Sequence, residues 1–462
     1  MKRTLLTTVA SAFILSAAPA FAGLSEDVAA DYPYVFDLYK HFHENPELSF
    51  KEEKTSARMA EELTALGFDV TTRVGDAWVQ KKVKESGAEL LPGVGGYGVV
   101  AVMKNGEGPT LMIRADMDAL PLEEKTGLPY ASKVVTTDYQ GQTAPVMHAC
   151  SHDSHIAIMV GTARRLVAMK DQWKGTLVLV VQPAEEIGLG AHAMIEDGLF
   201  KRFPKPDFII AEHTSGWDPA GAITYTPGFA LANVDSVDIK IHGVGAHGSA
   251  PQMGKDPIVV GAEIVNALQT LVSRELDPLK AGVVTVGAFQ AGYKHNIIPD
   301  EANLKITVRS YEDDVRAQLL SGIKRIALAQ AESAGLPENL APEVSIEPDY
   351  TPSTYNEPAL TTRVMGAVAA SIGEERVYER PPSMGGEDFS MFSRTADKIP
   401  AVIFWVGGAD PKVFKAAQEG KGPKPPANHS PFYAPLPEPA LKLGVQSMTS
   451  AAIELLKPQS AE

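Results

Sequence analysis

Four short apolar runs, residues 99–103, 110–113, 176–181 and 208–211, each break off into polar residues, and helical patterns separate the second from the third and the third from the fourth. Uninterrupted apolar runs of this length are what strands covered on both faces require. The alternation predicts a layered α/β domain with a largely parallel, doubly covered sheet. In such sheets ligands gather at the carboxyl ends of the strands. There the chain places Arg114-Ala115-Asp116-Met117-Asp118, Gln182-Pro183-Ala184-Glu185-Glu186 and Glu212-His213. A further polar stretch, Met147-His148-Ala149-Cys150-Ser151-His152-Asp153-Ser154-His155, precedes a helical apolar pattern and holds three imidazoles, a carboxylate and the only cysteine of the chain. Cys150 and His152 stand two apart, so in extended backbone both side chains point to one face and can converge on one ion. A thiolate beside an imidazole suits zinc best and tolerates other first-row divalent metals. Alone, that pair reads as a buried small cysteine with histidines at a helix start. Three polar strand ends beside it make a metal site the better reading.

The remaining chain frames this domain. Helices are expected over 34–43 and 52–66, with the Asn45-Pro46-Glu47 turn between them. Residues 74–98, with Lys81, Lys82, Lys84 and four glycines from Gly93 to Gly98, break the rhythm and read as a surface excursion. From Asn233 the pattern changes: a strand over 234–241 alternates apolar and polar, a glycine-rich turn spans Gly243 to Gly248, and a helix follows over 257–271. Strands over 283–289 and 303–311, a helix over 314–334 and a strand over 344–346 complete a β-α-β-β-α-β order, that of a ferredoxin-like sandwich. The predicted division is therefore a signal segment 1–22, a catalytic domain over 23–232 and 351–462, and an inserted α+β domain over 233–350.

A net charge of -15 over 462 residues argues against nucleic acid or an anionic membrane as partner, since phosphates are bound through clustered Lys and Arg. A small molecule or peptide is expected instead. Met1-Lys2-Arg3, the apolar run to Ala18 and Ala20-Phe21-Ala22 have the charged start, hydrophobic middle and A-x-A end of a secretory signal. A soluble periplasmic or secreted protein is expected. A single thiol is a liability in an oxidising compartment unless something such as a metal occupies it.

The motifs Arg114 to Pro121, Cys150-Ser151-His152-Asp153, Gln182 to Glu186, Ala246-His247, Asn296-Ile297-Ile298-Pro299, Gly385-Gly386-Glu387-Asp388-Phe389 and His429-Ser430 together resemble the M20 metallopeptidase family. Within it they look like the N-acyl-amino-acid amidohydrolases that include hippurate and auxin-conjugate hydrolases. The resemblance implies a catalytic domain of zinc-exopeptidase type with a lid or dimerisation insert, and allows a homodimer through that insert. It implies two divalent ions, drawn from zinc, manganese, cobalt or nickel, held by Cys150, His152, Glu186, His213 and His429 with the thiolate shared. Glu185 would be the general base, His247 an oxyanion donor that reaches over the metals, often from a partner subunit, and Asn296 and Arg309 substrate contacts, Arg309 at the free carboxylate. Consecutive side chains at a strand end diverge, so Glu186 can ligate while Glu185 faces the attacking water. His148, His155, Asp116 and Asp118 are expected either to orient the ligands or to be structural. The implied reaction is hydrolysis of the amide bond of N-acyl amino acids or small peptides. A catalytically silent exported protein that binds a metal or ligand is the alternative, and Glu185 speaks against it, because mere binding needs no base. This chain departs from the branch at Ser151 and Ser154, where glycine is usual, and in the length of residues 74–98.

Overall fold

The computed structural model describes residue 21 and residues 23–457. The expected export signal therefore lies outside the described residues, Phe21 excepted. Eight strands form the central sheet in the order Asp69–Gly75, Tyr97–Asn105, Gly175–Gln182, Thr110–Asp116, Phe208–Pro219, Ala401–Ala409, Ile223–Tyr225, Val377–Glu379. The strands carrying the polar ends are the parallel centre: Thr110–Asp116 pairs in parallel with Gly175–Gln182 and Phe208–Pro219, and the last pairs in parallel with Ala401–Ala409. Tyr97–Asn105 and Asp69–Gly75 add an antiparallel flank.

Period-two alternation feeds two cores from one sheet. Leu177, Leu179 and Val181 face a layer that includes Val28, Ile156, Val160, Val364, Leu441 and Ile453, from four helices, whereas Val178 and Val180 face Met194, Leu199, Phe389 and Phe392. Both faces of the strand are buried, at about 1.5 to 3 kcal/mol for each large aliphatic side chain removed from water. The first helix runs over Leu24–Glu44, straight through Pro33. It thus starts ten residues before the expected position, because Val28, Val35, Leu38 and Phe42 bury one continuous stripe that outweighs the hydrogen bond lost at proline.

The insert has its own four-stranded antiparallel sheet, ordered Gly282–Ala291, Glu301–Ser310, Asp235–His242, Glu343–Ile346, with helices Pro257–Thr270 and Asp313–Ser333 packed on it. That is the ferredoxin-like arrangement. The two chain crossings into it pair with each other, Val234 N–H donating to Thr351 O (2.8 Å) and Thr351 N–H to Val234 O (3.2 Å), which makes a short two-stranded connection beside the strand ends.

Residues 74–98 are more than a surface excursion. They contain the helix Asp76–Ser86, whose Trp78 and Val79 are buried against Phe50 and Val94. Lys81 and Lys84 are exposed and Lys82 lies over the Trp78 ring, 5.3 Å from its centroid; a segment so rich in charge and glycine hides a two-residue apolar anchor from periodicity alone.

Candidate metal centre

The polar strand ends converge at one edge of the sheet. Donor atoms of Cys150, His152 and His213 lie within 4.8 Å of one another, and so do those of Cys150, Glu186 and His429. Cys150 belongs to both sets, with Sγ 3.4 Å from His213 Nε2. His429 Nε2 lies 3.5 Å from Glu186 Oε2.

The hydrogen bonds decide which imidazoles are free to ligate. His152 Nδ1 donates to the carbonyl of Asp118 at 2.7 Å and His213 Nδ1 to that of Thr214 at 2.9 Å. Both bonds fix the tautomer and leave Nε2 with its lone pair aimed inward, the usual device for a ligating histidine. His155 is different: Nδ1 donates to Asp116 Oδ1 at 2.5 Å while Nε2 accepts the Thr214 N–H at 2.8 Å, so both nitrogens are spent. Asp116 is spent too, its other oxygen taken by Arg114 Nη1 at 2.6 Å. The grouping of Asp116, His152 and His155 is therefore scaffolding.

The fit of a cation to this set shows in what is left unpaired. Among the described residues His152 Nε2 and Glu186 Oε1 are buried without a hydrogen-bond partner. Burial, followed by the neighbouring carboxylates of Glu387 and Glu186, holds Glu185 well above the usual carboxylate range. Burial likewise lifts Glu186 to about 8, against the pull of His152 and with the push of Asp118 and Asp116. Burial pushes the Cys150 thiol up, and Glu186 pushes it further. Such crowded, desolvated acids are stabilised by a positive charge among them. The donor set of thiolate, imidazoles and carboxylate suits a divalent transition metal.

Local backbone is bent to present these groups. Ser151, Ala184 and His429 are non-glycine residues at φ 71°, 51° and 68°, a region L residues rarely occupy and one found where function over-determines the chain. At Ser151 it is a conformation that glycine would adopt without strain. Asp118 clamps the carboxylate loop, accepting the N–H groups of Glu185 (3.0 Å) and Glu186 (3.1 Å) and the Ser49 hydroxyl (2.6 Å). Ser154 ties the Cys150 loop to the neighbouring strand, donating to Ser151 O at 2.7 Å with Thr214 Oγ1 at 2.8 Å.

Beneath Glu185 lies a buried ionic network centred on Arg114, whose partners Gln182, Glu387 and Asp388 stand in the motifs with no role expected of them. The fully buried Arg114 donates through Nε to Gln182 (2.9 Å) and through Nη2 to Glu387 (2.8 Å) and Asp388 (3.2 Å), besides its bond to Asp116. Glu185, Glu387 and Asp388 form a further close acidic group. An arginine at the end of an apolar strand, with no water to meet it, was the available signal.

The centre opens into a cavity of about 560 Å³ whose wall includes Trp217, Val234, Arg309, Thr351, Arg380 and Trp405. Arg309, reaching across from the insert, donates Nη1 to Met384 O at 2.9 Å. His247 and Asn296 do not line the cavity. They sit together beside the two-stranded pair that Ala246–His247 forms with Ile297–Ile298 in the insert, where Gly248 N–H donates to Asn296 O at 2.9 Å and His247 Nδ1 accepts from Ser249.

This fold and site define a metallohydrolase built as an α/β catalytic domain interrupted by a ferredoxin-like insert. The chain belongs to peptidase family M20/M25/M40, whose model matches residues 112–421. It is 35% identical to thermostable carboxypeptidase 2 of Saccharolobus solfataricus, over 93% of this chain and 98% of the relative. It is also 35% identical to the hippurate hydrolase of Campylobacter jejuni, over 78% and 87% of the two chains. Among solved structures it resembles a Bacillus subtilis protein described as a dinuclear metal-binding peptidase of the M20 family, with TM-score 0.69, 28% identity and coverage of 93% and 99%.

Proposed function

We propose that this enzyme hydrolyses the amide bond of N-acyl amino acids, or of small peptides, that end in a free carboxylate. The observation that carries the reading is the pairing, in one cavity, of a cysteine common to two donor sets with the Arg309 guanidinium, which has no acidic partner among the described residues. Hydrolysis of hippurate and release of C-terminal residues, the activities in the relatives' names, both act on an amide beside a free carboxylate.

Cys150, His152 and His213 would hold one divalent ion and Cys150, Glu186 and His429 a second, with zinc, manganese, cobalt and nickel the candidates. Divalent ions so bound polarise a carbonyl oxygen and bring the pKa of water towards neutrality. Glu185 takes the proton of the attacking water and returns it to the departing amine nitrogen, a double duty that a raised carboxylate pKa suits. Arg309 receives the carboxylate in a planar fork. Asp118 and Arg114 keep the Glu185 loop in register. His247 and Asn296 serve the oxyanion and the substrate when the insert closes or when a second copy of the chain presents its own pair. Pairing through the insert is supported by its edge strand Gly282–Ala291 and by exposed Ile258, Val259 and Phe289. The charged start, apolar run and A-x-A end within residues 1–22 support export of this enzyme to the periplasm or beyond the cell.

The test is release of free amine from N-acetyl, N-benzoyl and dipeptide substrates by enzyme reconstituted with each metal. Turnover of N-acyl amino acids at rates well above their C-terminal amides supports the reading. Binding of metal and ligand with no turnover of any member would leave the alternative, an exported binding protein.

A further inference from the structure

We propose that the protein carries a second small-molecule site, an aromatic-lined cavity built by residues 74–98 that takes an uncharged apolar ligand bearing an aromatic ring. The cavity measures about 530 Å³ and shares no lining residue with the catalytic one. Trp78 comes from the helix Asp76–Ser86, Leu90, Leu91 and Val94 from the loop after it, and Phe50 and Tyr139 from the catalytic body. The Phe50 ring centroid lies 6.4 Å from those of both Trp78 and Tyr139, tilted 41° to the first and nearly perpendicular, at 87°, to the second. Three rings so disposed offer edge and face contacts to a fourth. Its volume is within the range of small-molecule sites, and an apolar cavity gains little from water.

The charges at the mouth set the class of ligand. Lys82 Nζ lies 3.3 Å from Asp349 and 5.3 Å from the Trp78 ring centroid, so its charge is already met, and Glu89 on the lining adds a negative group. An anion would meet repulsion and no spare cation. A neutral ring avoids both.

The geometry also separates this site from the acyl end of a substrate. Gly188 and Thr351 line the catalytic cavity, while their near neighbours Leu189 and Asp349 line the other. A Cβ on Gly188 would stand 2.5 Å from Thr351 Oγ1, so the wall is closed and thin. One half of that wall is the loop that follows Glu185 and Glu186, and the other is the segment returning from the insert through Asp349 and Thr351. A ligand that packs the 76–86 helix against that segment therefore bears on the position of the insert, and by linkage it changes affinity in the catalytic cavity.

The test is a fluorescence titration of the full chain with the neutral probe N-phenyl-1-naphthylamine, whose emission rises out of water. One saturable site per chain is expected. Val83→Phe, which fills the cavity, and Leu91→Lys, which places a charge in it, should each weaken binding by about tenfold or more. Both positions are only partly buried, so circular dichroism and melting midpoint should match the wild type and show that the loss is local. Absence of saturable binding, or affinity unchanged in both folded variants, overturns the proposal. The readout needs no turnover, so it fails or succeeds separately from the amidohydrolase reading.

Discussion

Replacing Arg309 by alanine isolates the proposed carboxylate contact. The guanidinium is half-buried, and burial lowers its pKa. Among the described residues its one acceptor is the Met384 carbonyl at 2.9 Å. Of the five N–H donors of an arginine, most are thus uncommitted, enough for a two-bond fork on a carboxylate. Losing a charge-assisted contact of that kind costs about 1.5 to 3 kcal/mol, which is about ten- to 150-fold in kcat/KM. Arg309→Lys keeps the charge and loses the fork, so it should fall between wild type and alanine. The assay compares kcat/KM for an N-acyl amino acid with that for its C-terminal amide in all three proteins. The free acid should suffer the full loss and the amide almost none. Equal losses on both substrates would make Arg309 a structural residue and leave selectivity for free carboxylates without support.

Glu185→Gln should lower kcat by about a hundredfold or more with metal content intact, and elemental analysis showing an empty centre would make Glu185 a ligand instead. Because Cys150 belongs to both donor sets, Cys150→Ser should deplete both ions while His429→Ala depletes one, read as metal per chain after dialysis. Arg114→Met strands Asp116, Glu387 and Asp388 in a buried site and should destabilise the protein by about 3 to 5 kcal/mol, seen as a lower denaturation midpoint. For His43, burial lowers the pKa but bonds to Asp153 (2.6 Å) and Glu124 (3.0 Å) prevail and raise it to about 10. A folded pKa above the unfolded value of about 6.5 gives stability that is complete below that value and fades as pH rises to the folded pKa. The stability deficit of His43→Gln should therefore shrink between pH 7 and pH 10 in urea titrations.

The chain's local patterns were enough to predict the layered domain, the βαββαβ insert and the residues that stand at strand ends, because periods of two and 3.6 and the polar stops are written in consecutive residues. The same local view misjudged the helix start at Pro33 and the 74–98 segment, where a buried stripe and the Trp78 anchor are satisfied only by partners elsewhere in the chain. Tertiary structure alone decided the rest of the site. It spent both nitrogens of His155 on Asp116 and Thr214, set Glu387 and Asp388 on an arginine more than two hundred residues away, and left His247 and Asn296 at a short strand pair outside the cavity. A side chain's chemistry is local, but its unpaired lone pairs, its desolvation and its charge neighbours depend on which distant segments pack against it.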